Sequence, residues 1–374
     1  MSEKFSDKKS FYKKVALLGT GLIGGSIGMA LRENNLVGNI TCYDIDDVAS
    51  RLAVDKGAAD YRAESLSAAV RGAELIIIAV PVMTTPELLK EILPDLEKGV
   101  VITDVGSTKS SVMATAEQLL PGTATFIGGH PMAGSEESGI NGADPVLLEN
   151  AIYVLTPQED TPKEIVDKLS DLFEAAGAQP IILDPLTHDT VVALISHLPH
   201  MTAAALVNSV AGKPDMELVR TLAAGGFRDS TRIALGNPDV WRDIFISNRW
   251  ALLSALKAFK ESLGTLEKYL TEPDAESVRE YLLQARDYRK SIPHRGKGIL
   301  PEIFELTVLV RDTPGIIGKV ATLLGEAGIN IDAIEIVHVR ELAGGSVRLG
   351  FRSRDQHKKA LDLLNERGYH TYSR

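Results

Sequence analysis

His130 is the side chain whose setting in this sequence most suggests acid–base chemistry. It follows Gly128 and Gly129, precedes Pro131, and comes directly after a β-like run at residues 124–127. Glycines let a backbone approach a ligand closely, and the proline stops a strand or helix from continuing. His130 is therefore expected just past a strand end, at the edge where open parallel sheets bind ligands. There it could act as a base, since a histidine ordinarily titrates just below neutrality. A loop histidine bonded to backbone carbonyls would fit this stretch equally well.

Further polar candidates follow a predicted strand and a glycine pair. Ser107 comes after the strand at residues 100–103, although capping the next helix would explain it at least as well. Arg228 and Arg232 follow the pair Gly225–Gly226, and an arginine can bind a carboxylate through two parallel hydrogen bonds. We expect Arg232 to be the arginine that binds a substrate carboxylate.

Two histidines share one face of an apolar helical segment. His197 and His200 lie three residues apart, and Pro199 between them is expected to kink the helix. No Asp, Glu or Cys stands at a matching spacing, so no metal is expected. His200 is the better ligand candidate, whereas His197 is also explained as a buried, hydrogen-bonded side chain.

A dinucleotide-binding pattern opens the chain. The strand at residues 14–18 runs into Gly19-x-Gly21-x-x-Gly24 and then into a helical pattern. Gly19 allows the tight turn, Gly21 lets a pyrophosphate approach the helix N-terminus, and Gly24 lets helix and strand pack closely. Asp44 ends the next strand, twenty residues after Gly24, and its carboxylate suits ribose hydroxyls but repels a 2′-phosphate. NAD is therefore expected rather than NADP. The predicted cofactor-binding residues are Gly19, Gly21, Leu22, Ile23, Gly24, Asp44 and Val80.

Composition and charge exclude several other classes of protein. The 374 residues are 44% hydrophobic and 24% charged, which is ordinary for a globular protein. The net charge of −10 argues against a nucleic-acid or anionic-membrane surface. The single cysteine, Cys42, excludes an internal disulfide and a multi-cysteine metal site. The lysine-rich N-terminus lacks the apolar core of a secretory signal, and the apolar segment 191–211 contains polar residues that favour a buried helix over a membrane span. We expect a cytoplasmic protein.

The order of predicted elements indicates an α/β protein with three parts. Residues 1–184 alternate strands and helices, as in a Rossmann dinucleotide-binding domain with a largely parallel sheet. Residues 185–292 show only helical patterns and are expected to form a substrate and dimerisation domain. Residues 293–303 have the composition of a linker. Residues 304–374 follow the order βαββαβ of a ferredoxin-like module.

Together these residues resemble the prephenate dehydrogenase family, in its form with a C-terminal ACT domain. The resemblance covers nearly the whole chain beyond the first dozen residues. Other dehydrogenases of this layout do not share both the His-Pro-Met-Ala-Gly block and the Phe-Arg-Asp block. The motifs that carry the resemblance are Gly19-x-Gly21-Leu-Ile-Gly24-Gly25-Ser26, Asp104-Val-Gly106-Ser107-x-Lys109, Gly129-His130-Pro131-Met132-Ala133-Gly134-Ser135-Glu136, Ser196-His197-Leu-Pro199-His200, and Gly226-Phe227-Arg228-Asp229-x-Thr231-Arg232 with Trp241-Arg242-Asp243.

The resemblance implies NAD-dependent oxidative decarboxylation of prephenate to 4-hydroxyphenylpyruvate, a step of tyrosine biosynthesis. His130 is then the group that accepts the proton of the ring hydroxyl while hydride leaves the same carbon for NAD⁺. Ser107 hydrogen-bonds near that hydroxyl and the nicotinamide. Arg232 holds a substrate carboxylate. The residues assigned to the substrate pocket are Arg232, His200, Glu136 and His197.

The last module carries a second resemblance. Asp312-x-Pro314-Gly315, followed by Gly328-Ile-Asn330-Ile, is similar to the amino-acid-binding motif of ACT domains. It implies feedback inhibition by L-tyrosine bound near Asp312, Gly315 and Asn330. The family resemblance also implies a homodimer.

Three other functions remain open at this point. An arogenate dehydrogenase acts on a substrate with an amino group in place of the keto group, and no residue decides between the two. A hydroxy-acid dehydrogenase or imine reductase of similar layout would not need the His-Pro-Met-Ala-Gly block. A catalytically silent sensor of NAD and an amino acid is disfavoured by the intact set His130, Ser107 and Arg232.

Overall fold

Two units make up the chain, residues 1–298 and residues 299–374, and each has its own sheet. The structure, a computed structural model, describes residues 10–120, 122–134, 137–211, 216–292, 304–311, 313–337 and 345–373. The linker predicted at residues 293–303 lies outside these ranges. The predicted domain limits at residues 184 and 292 remain predictions.

The sheet of the first unit has eight strands among the described residues. They are β1 (Tyr12–Leu18), β2 (Val37–Tyr43), β3 (Tyr61–Arg62), β4 (Leu75–Ile78), β5 (Val101–Asp104), β6 (Thr125–Pro131), β7 (Ile152–Thr156) and β8 (Gln179–Ile182). The helices between them are α1 (Leu22–Glu33), α2 (Asp47–Asp55), α3 (Leu66–Val70), α4 (Thr85–Ile92), α5 (Ser110–Leu119) and α6 (Lys163–Ala175).

The strand order is β3-β2-β1-β4-β5-β6-β7-β8. All pairs are parallel except β6 with β7. All four residues of β4 are fully buried, because helices cover both faces of the sheet. The predicted Rossmann arrangement is confirmed, and the carboxyl ends of β1, β4 and β5 meet at one edge.

Helices alone follow the sheet in the described part of the first unit. They are α7 (Pro185–Val192), a π-helical turn (Ala193–His197), α8 (Leu198–Val210), α9 (Met216–Leu222), α10 (Gly225–Thr231), α11 (Pro238–Ser247), α12 (Arg249–Thr271) and α13 (Ala275–Ser291). A π-helical turn lies just before Pro199, the position where the sequence predicts a kink. The wider turn relieves the clash between a proline ring and the carbonyl four residues earlier.

One detail of the helical part differs from the sequence pattern. The pattern over residues 238–270 predicts a single helix, but the helix is broken at Asn248, whose φ of −107° and ψ of 25° separate α11 from α12. The buried Asn248 side chain donates to the Asp189 carbonyl oxygen at 2.8 Å, which holds the break in place.

An apolar face of the helical part is exposed in the single chain. Pro185–Val210 is continuous, and among the described helices it alone is long and apolar enough to span a membrane by length and composition. Its most apolar stretch of 18 residues has a mean hydropathy of 1.5, and 28% of that stretch is buried. The prediction that this segment is buried is therefore wrong for the isolated chain. Leu194, Ile195 and Leu206 are exposed along it.

The second unit is a four-stranded antiparallel sheet with two helices. Its elements are β9 (Phe304–Val310), α14 (Ile316–Glu326), β10 (Ala333–Val337), β11 (Gly345–Phe351), α15 (Arg354–Glu366) and β12 (His370–Ser373). The strand order β10-β11-β9-β12 and the chain order βαββαβ confirm the ferredoxin-like prediction. The hairpin turn expected at residues 343–345 lies largely outside the described residues.

Candidate active site

A cavity of about 360 Å³ opens at the carboxyl ends of β1, β4 and β5. Its walls come from the glycine-rich loop before α1, the residues that follow β4 and β5, the loop after β6, and α11. Open α/β sheets bind ligands at this edge. Five residues predicted from the sequence lie on its walls, namely Gly21, Leu22, Ile23, Val80 and Ser107.

The glycines of the first loop have different structural roles. Gly19 has a φ of +93°, and a Cβ there would lie 2.4 Å from the Ala79 carbonyl oxygen. A Cβ on Gly24 would lie 2.2 Å from the Gly19 carbonyl oxygen, so packing requires both glycines. At Gly21, in contrast, no atom lies within 4 Å of the Cβ position. Gly21 also precedes α1 without any side-chain cap, so the first N–H groups of the helix face open space that suits a pyrophosphate.

Asp44 lies beside this loop, at the end of β2. Its Oδ2 accepts the Thr20 N–H at 2.6 Å, and its Oδ1 accepts the Asp46 N–H at 2.9 Å. Oδ2 also accepts the Thr20 hydroxyl at 3.0 Å, so Oδ1 is the oxygen that keeps a further lone pair for a ribose hydroxyl. The nearby Arg51 and Arg62 both pair with Asp47. The charge next to Asp44 thus favours hydroxyls over a 2′-phosphate.

His130 lies within β6, and not past its end as the sequence suggested. The parallel ladder between β5 and β6 does end earlier, at the pair Thr103–Ile127. Strand β6 continues because its last residues pair with antiparallel β7, with His130 opposite Val154. The imidazole therefore projects from a paired backbone, which is more rigid than a loop.

His130 begins a chain of two short side-chain contacts. Its Nδ1 lies 2.8 Å from Nε2 of His188, and Nδ1 of His188 lies 2.8 Å from Oδ1 of Asp189. The carboxylate accepts, so a neutral His188 carries its proton on Nδ1 and offers a lone pair on Nε2. His130 must then donate from its own Nδ1. Its Nε2 is left without a proton, as a base requires.

Asp189 is held from several sides. Its Oδ1 accepts the Lys109 N–H at 2.7 Å and its Oδ2 the Ser110 N–H at 2.8 Å, at the start of α5. Although burial would raise its pKa, the hydrogen bonds from His188, Ser110 and Lys109 lower the pKa of Asp189. The carboxylate is thus ionised and fixed, which fixes the orientation of His188.

The pKa of His130 is lowered well below its ordinary value. Burial of the imidazole contributes most, followed by electrostatic interactions with His188, Lys109 and His197 that disfavour a second proton on His130. The neutral form of His130 is therefore favoured around neutral pH, and this is the form that can accept a proton.

Ser107 lies on the cavity wall, in the loop between β5 and α5. It does not cap α5, because that helix begins at Ser110 without a side-chain cap and its first N–H groups bond to Asp189. The Ser107 hydroxyl has no hydrogen-bond partner among the described residues. It can therefore bond a ligand in the cavity.

The two helical histidines occupy different environments. His197 is buried, with Nδ1 3.2 Å from Nδ2 of Asn248, and burial lowers its pKa to about 4. His200 stacks on Trp241 with ring centroids 3.5 Å apart, and Trp241 lines the cavity. The Nδ1 atom of His200 is buried and lacks a partner among the described residues. His200 is thus the better placed of the two to meet a ligand.

Arg232 opens a 3-10 turn, Arg232–Leu235, that leads directly into Gly236 on the cavity wall. Its side chain is exposed. Glu136, predicted for the same pocket, lies outside the described residues. Among the described residues His130, His200 and Arg232 do not themselves line the cavity, so the structure places them around it and not inside it.

The predicted regulatory residues belong to the second unit. Gly315 precedes α14 with a φ of +83°, and it lines an open depression of about 640 Å³ together with Lys319 and Arg367. Asn330 is not among the described residues that line this depression, and its Nδ2 donates to Asp332 at 3.1 Å. Asp312 lies outside the described residues.

His188 and Asp189 are site residues that the sequence did not indicate. Their partners lie far away in the chain, since His130 is 58 residues from His188. A His-Asp pair directly after the last strand, at the start of a helix, was the available signal. Among the described residues no group of acids, histidines and cysteine could hold a metal ion.

Comparison with known proteins agrees with this geometry. Family models match at residues 27–182 (prephenate dehydrogenase, nucleotide-binding domain), 184–284 (prephenate dehydrogenase, dimerization domain) and 304–358 (ACT domain). Prephenate dehydrogenase of Bacillus subtilis is 39% identical over 361 residues, covering 96% of this chain and 97% of that protein.

Two solved structures are also similar. Prephenate dehydrogenase from Aquifex aeolicus, in complex with hydroxyphenyl propionate and NAD⁺, has a TM-score of 0.71 and 32% identity, and the match covers 77% of this chain and all (100%) of that one. Arogenate dehydrogenase from Synechocystis has a TM-score of 0.66 and 33% identity, over 75% of this chain and 100% of that one. The chain therefore belongs to the prephenate dehydrogenase family, in its form with an ACT domain.

Proposed function

We propose that this protein is an NAD-dependent dehydrogenase that converts prephenate to 4-hydroxyphenylpyruvate and CO₂ in L-tyrosine biosynthesis. The observation that carries the proposal is the chain of 2.8 Å contacts from His130 through His188 to Asp189, beside a glycine-lined cavity. The A. aeolicus relative binds NAD⁺ and hydroxyphenyl propionate, an aromatic acid with a ring hydroxyl like that of the proposed product.

The described residues of the first loop fit NAD. The open position at Gly21 and the uncapped start of α1 accommodate the pyrophosphate, and Asp44 accepts from the ribose hydroxyls. NAD⁺, when bound, accepts the hydride from the ring carbon that bears the hydroxyl group.

The side chains around the cavity have to move one proton and hold an anion. Nε2 of His130 accepts the hydroxyl proton as the C–H bond breaks, while Ser107 orients the oxygen. The positive charge that develops on His130 is stabilised through His188 by the Asp189 carboxylate. The oxidised ring is a vinylogous β-keto acid, so loss of CO₂ restores aromaticity without a further catalytic group. The main contribution of the protein is therefore to position the reacting groups.

Arg232 is proposed to hold a substrate carboxylate. Replacing it with alanine removes a charge-assisted hydrogen bond that is made in both the ground state and the transition state. We expect Arg232→Ala to raise the KM for prephenate by about 10- to 100-fold, with a much smaller loss in kcat. Steady-state kinetics at saturating NAD⁺ measure both constants.

Arg228→Ala is the matched comparison, since Arg228 is an exposed arginine one helical turn earlier. Its KM should stay close to that of the unchanged protein. An unchanged KM in Arg232→Ala, or an equal rise in both variants, would contradict the assignment.

We also propose that L-tyrosine inhibits the enzyme by binding to the second unit, near Asp312, Gly315 and Asn330. Deletion of residues 304–374 should leave prephenate turnover in place and abolish tyrosine inhibition. The truncated chain is a reasonable protein to test, because the A. aeolicus relative matches 77% of this chain over its own full length. Inhibition that persists after the deletion would place tyrosine at the active site.

A homodimer formed through the helical part is proposed as the working state. The exposed residues Leu194, Ile195 and Leu206 give that part an apolar face, and residues 184–284 match the family's dimerization domain. A cytoplasmic location accords with this proposal, since the pathway's substrates are small soluble acids.

One assay tests the activity and separates the two candidate substrates. NADH formation is followed with NAD⁺ and prephenate, and then with arogenate, each with and without L-tyrosine. We expect turnover of prephenate that tyrosine suppresses. Arogenate is the second candidate because a structural relative at 33% identity is an arogenate dehydrogenase. Preference for arogenate would keep the mechanism and change the substrate, whereas no turnover of either would contradict the proposal.

A further inference from the structure

We propose that the buried ion pair Asp104–Lys109 is a positioning device that sets His130 relative to Ser107 and keeps its imidazole neutral. The inference rests on the proposed role of His130 as the base. Asp104 and Lys109 are both fully buried, with Lys109 Nζ 2.5 Å from Asp104 Oδ2. A buried ion pair adds little net stability by comparison with apolar residues of the same size, so its presence here calls for another explanation.

The ion pair makes hydrogen bonds to β6 that a neighbouring strand would otherwise make. Regular pairing of β5 with β6 ends at Thr103 and Ile127, so the backbone groups of Gly129 that face β5 have no strand partner. Asp104 Oδ1 accepts the Gly129 N–H at 3.0 Å, and Lys109 Nζ donates to the Gly129 carbonyl oxygen at 2.7 Å. Both backbone groups of the residue before His130 are thus held by this one pair.

Strands β5 and β6 lie too close together at Gly129 for any side chain at that position. A Cβ there would lie 2.4 Å from the Asp104 carbonyl oxygen and 2.9 Å from the Thr103 hydroxyl oxygen. The glycine lets β6 come near enough for the two side chains of the pair to reach its backbone.

The same two residues also hold the other groups of the site. Asp104 Oδ2 accepts the Gly106 N–H at 2.9 Å, directly before Ser107. The backbone N–H of Lys109 donates to Asp189, which orients His188 and through it His130. The side chains of Asp104 and Lys109 therefore fix the backbone next to Ser107 and the backbone next to His130. The backbone N–H of Lys109 fixes the position of Asp189.

Charge gives the pair a second effect on His130. The charged and titratable groups around the imidazole are His188 and Asp189 on α7, His197 in the π-helical turn, and Asp104 and Lys109 at the two ends of the β5–α5 loop. The ammonium of Lys109 opposes protonation of His130, and so lowers its pKa together with burial and the neighbouring histidines. Removing that ammonium should therefore raise the pH at which His130 gains a proton.

Two variants test the proposal, Lys109→Met and the double variant Asp104→Asn/Lys109→Met. The double variant leaves no uncompensated buried charge, so it remains informative where the single variant does not fold. In each folded variant we expect kcat to fall by about 100-fold, because the reacting groups are misplaced, while the KM for NAD⁺ changes little. In Lys109→Met, which removes the ammonium and keeps the Asp104 carboxylate, the acid limb of kcat/KM should move to higher pH.

Lys163→Met is the matched control, since it removes a lysine from an exposed pair with Asp167 at 2.5 Å. It should change neither kcat nor the acid limb. Retention of wild-type kcat by the folded double variant would overturn the proposal.

A histidine titration followed by ¹⁵N NMR gives a readout that does not depend on turnover. The His130 resonance, assigned through its loss in His130→Asn, should titrate at a higher pH in Lys109→Met than in the unchanged protein. An identical titration in both would overturn the electrostatic part. Failure of the unchanged protein to oxidise prephenate would instead count against the proposed function, and the NMR comparison would still decide the role of the pair.

Discussion

His130→Asn is expected to lower kcat with prephenate by about 1,000-fold and to leave NAD⁺ binding nearly unchanged. An asparagine amide can still donate to Nε2 of His188, so the local hydrogen bond is kept. It cannot accept a proton as an imidazole does, and the base is lost. His130 is not among the described residues that line the glycine-rich cavity, so binding of the dinucleotide should not depend on it.

The pH profile of the unchanged protein is part of the same prediction. Burial and electrostatic interactions with neighbouring groups, the Lys109 ammonium among them, lower the pKa of His130 below its ordinary 6.5. The neutral base therefore persists as the pH falls through 6.5, and kcat/KM should decline only at more acidic pH. In His130→Asn that acid limb should disappear from the residual activity.

The measurements are steady-state kinetics across pH and a fluorescence titration with NADH. His370→Asn is a suitable control, because His370 is an exposed histidine on β12 of the second unit. Turnover in His130→Asn that is close to that of the control would refute the assignment of His130 as the base.

Local sequence patterns predicted the elements whose structure depends on residues that are close together in the chain. The glycine loop predicted the strand–turn–helix unit, because Gly19 and Gly24 allow packing that no other residue tolerates. The apolar run that forms β4 predicted a strand buried on both faces, and all four of its residues are fully buried. The ferredoxin-like order of the second unit followed from alternating strand patterns and turn residues in the same way.

Features that depend on distant pairing could not be predicted in this way. His130 is inside β6 because β7 pairs with it in the antiparallel direction, and nothing in the residues around His130 indicates that partner. The break at Asn248 depends on a hydrogen bond to Asp189, 59 residues away. Composition predicts a core helix at Pro185–Val210 because it does not distinguish an apolar face that is buried from one that stays exposed.

The second large effect is expected at His188, which no sequence pattern had indicated. His188 is fully buried, and phenylalanine fills a similar volume without either ring nitrogen. In His188→Phe the Nδ1 atom of His130 loses its acceptor, so a fraction of His130 carries its proton on Nε2 and cannot act as the base. The imidazolium that forms during turnover also loses its connection to Asp189. We expect kcat to fall by about 100-fold or more, as in enzymes where an acid–histidine pair is disrupted.

The tautomer itself can be measured in the unchanged protein by ¹⁵N chemical shifts of His130. With a neutral His188, the contacts of 2.8 Å on its two sides require a protonated Nδ1 and an unprotonated Nε2 on His130. In His188→Phe, His130 should show a mixture of the two tautomers. The fall in kcat should be accompanied by little change in the KM for NAD⁺. His357→Phe is the matched control, since it replaces another buried histidine in the second unit. A protonated Nε2 on His130 in the unchanged protein would contradict the assigned direction of the hydrogen bonds, and with it the role of His188 in preparing the base.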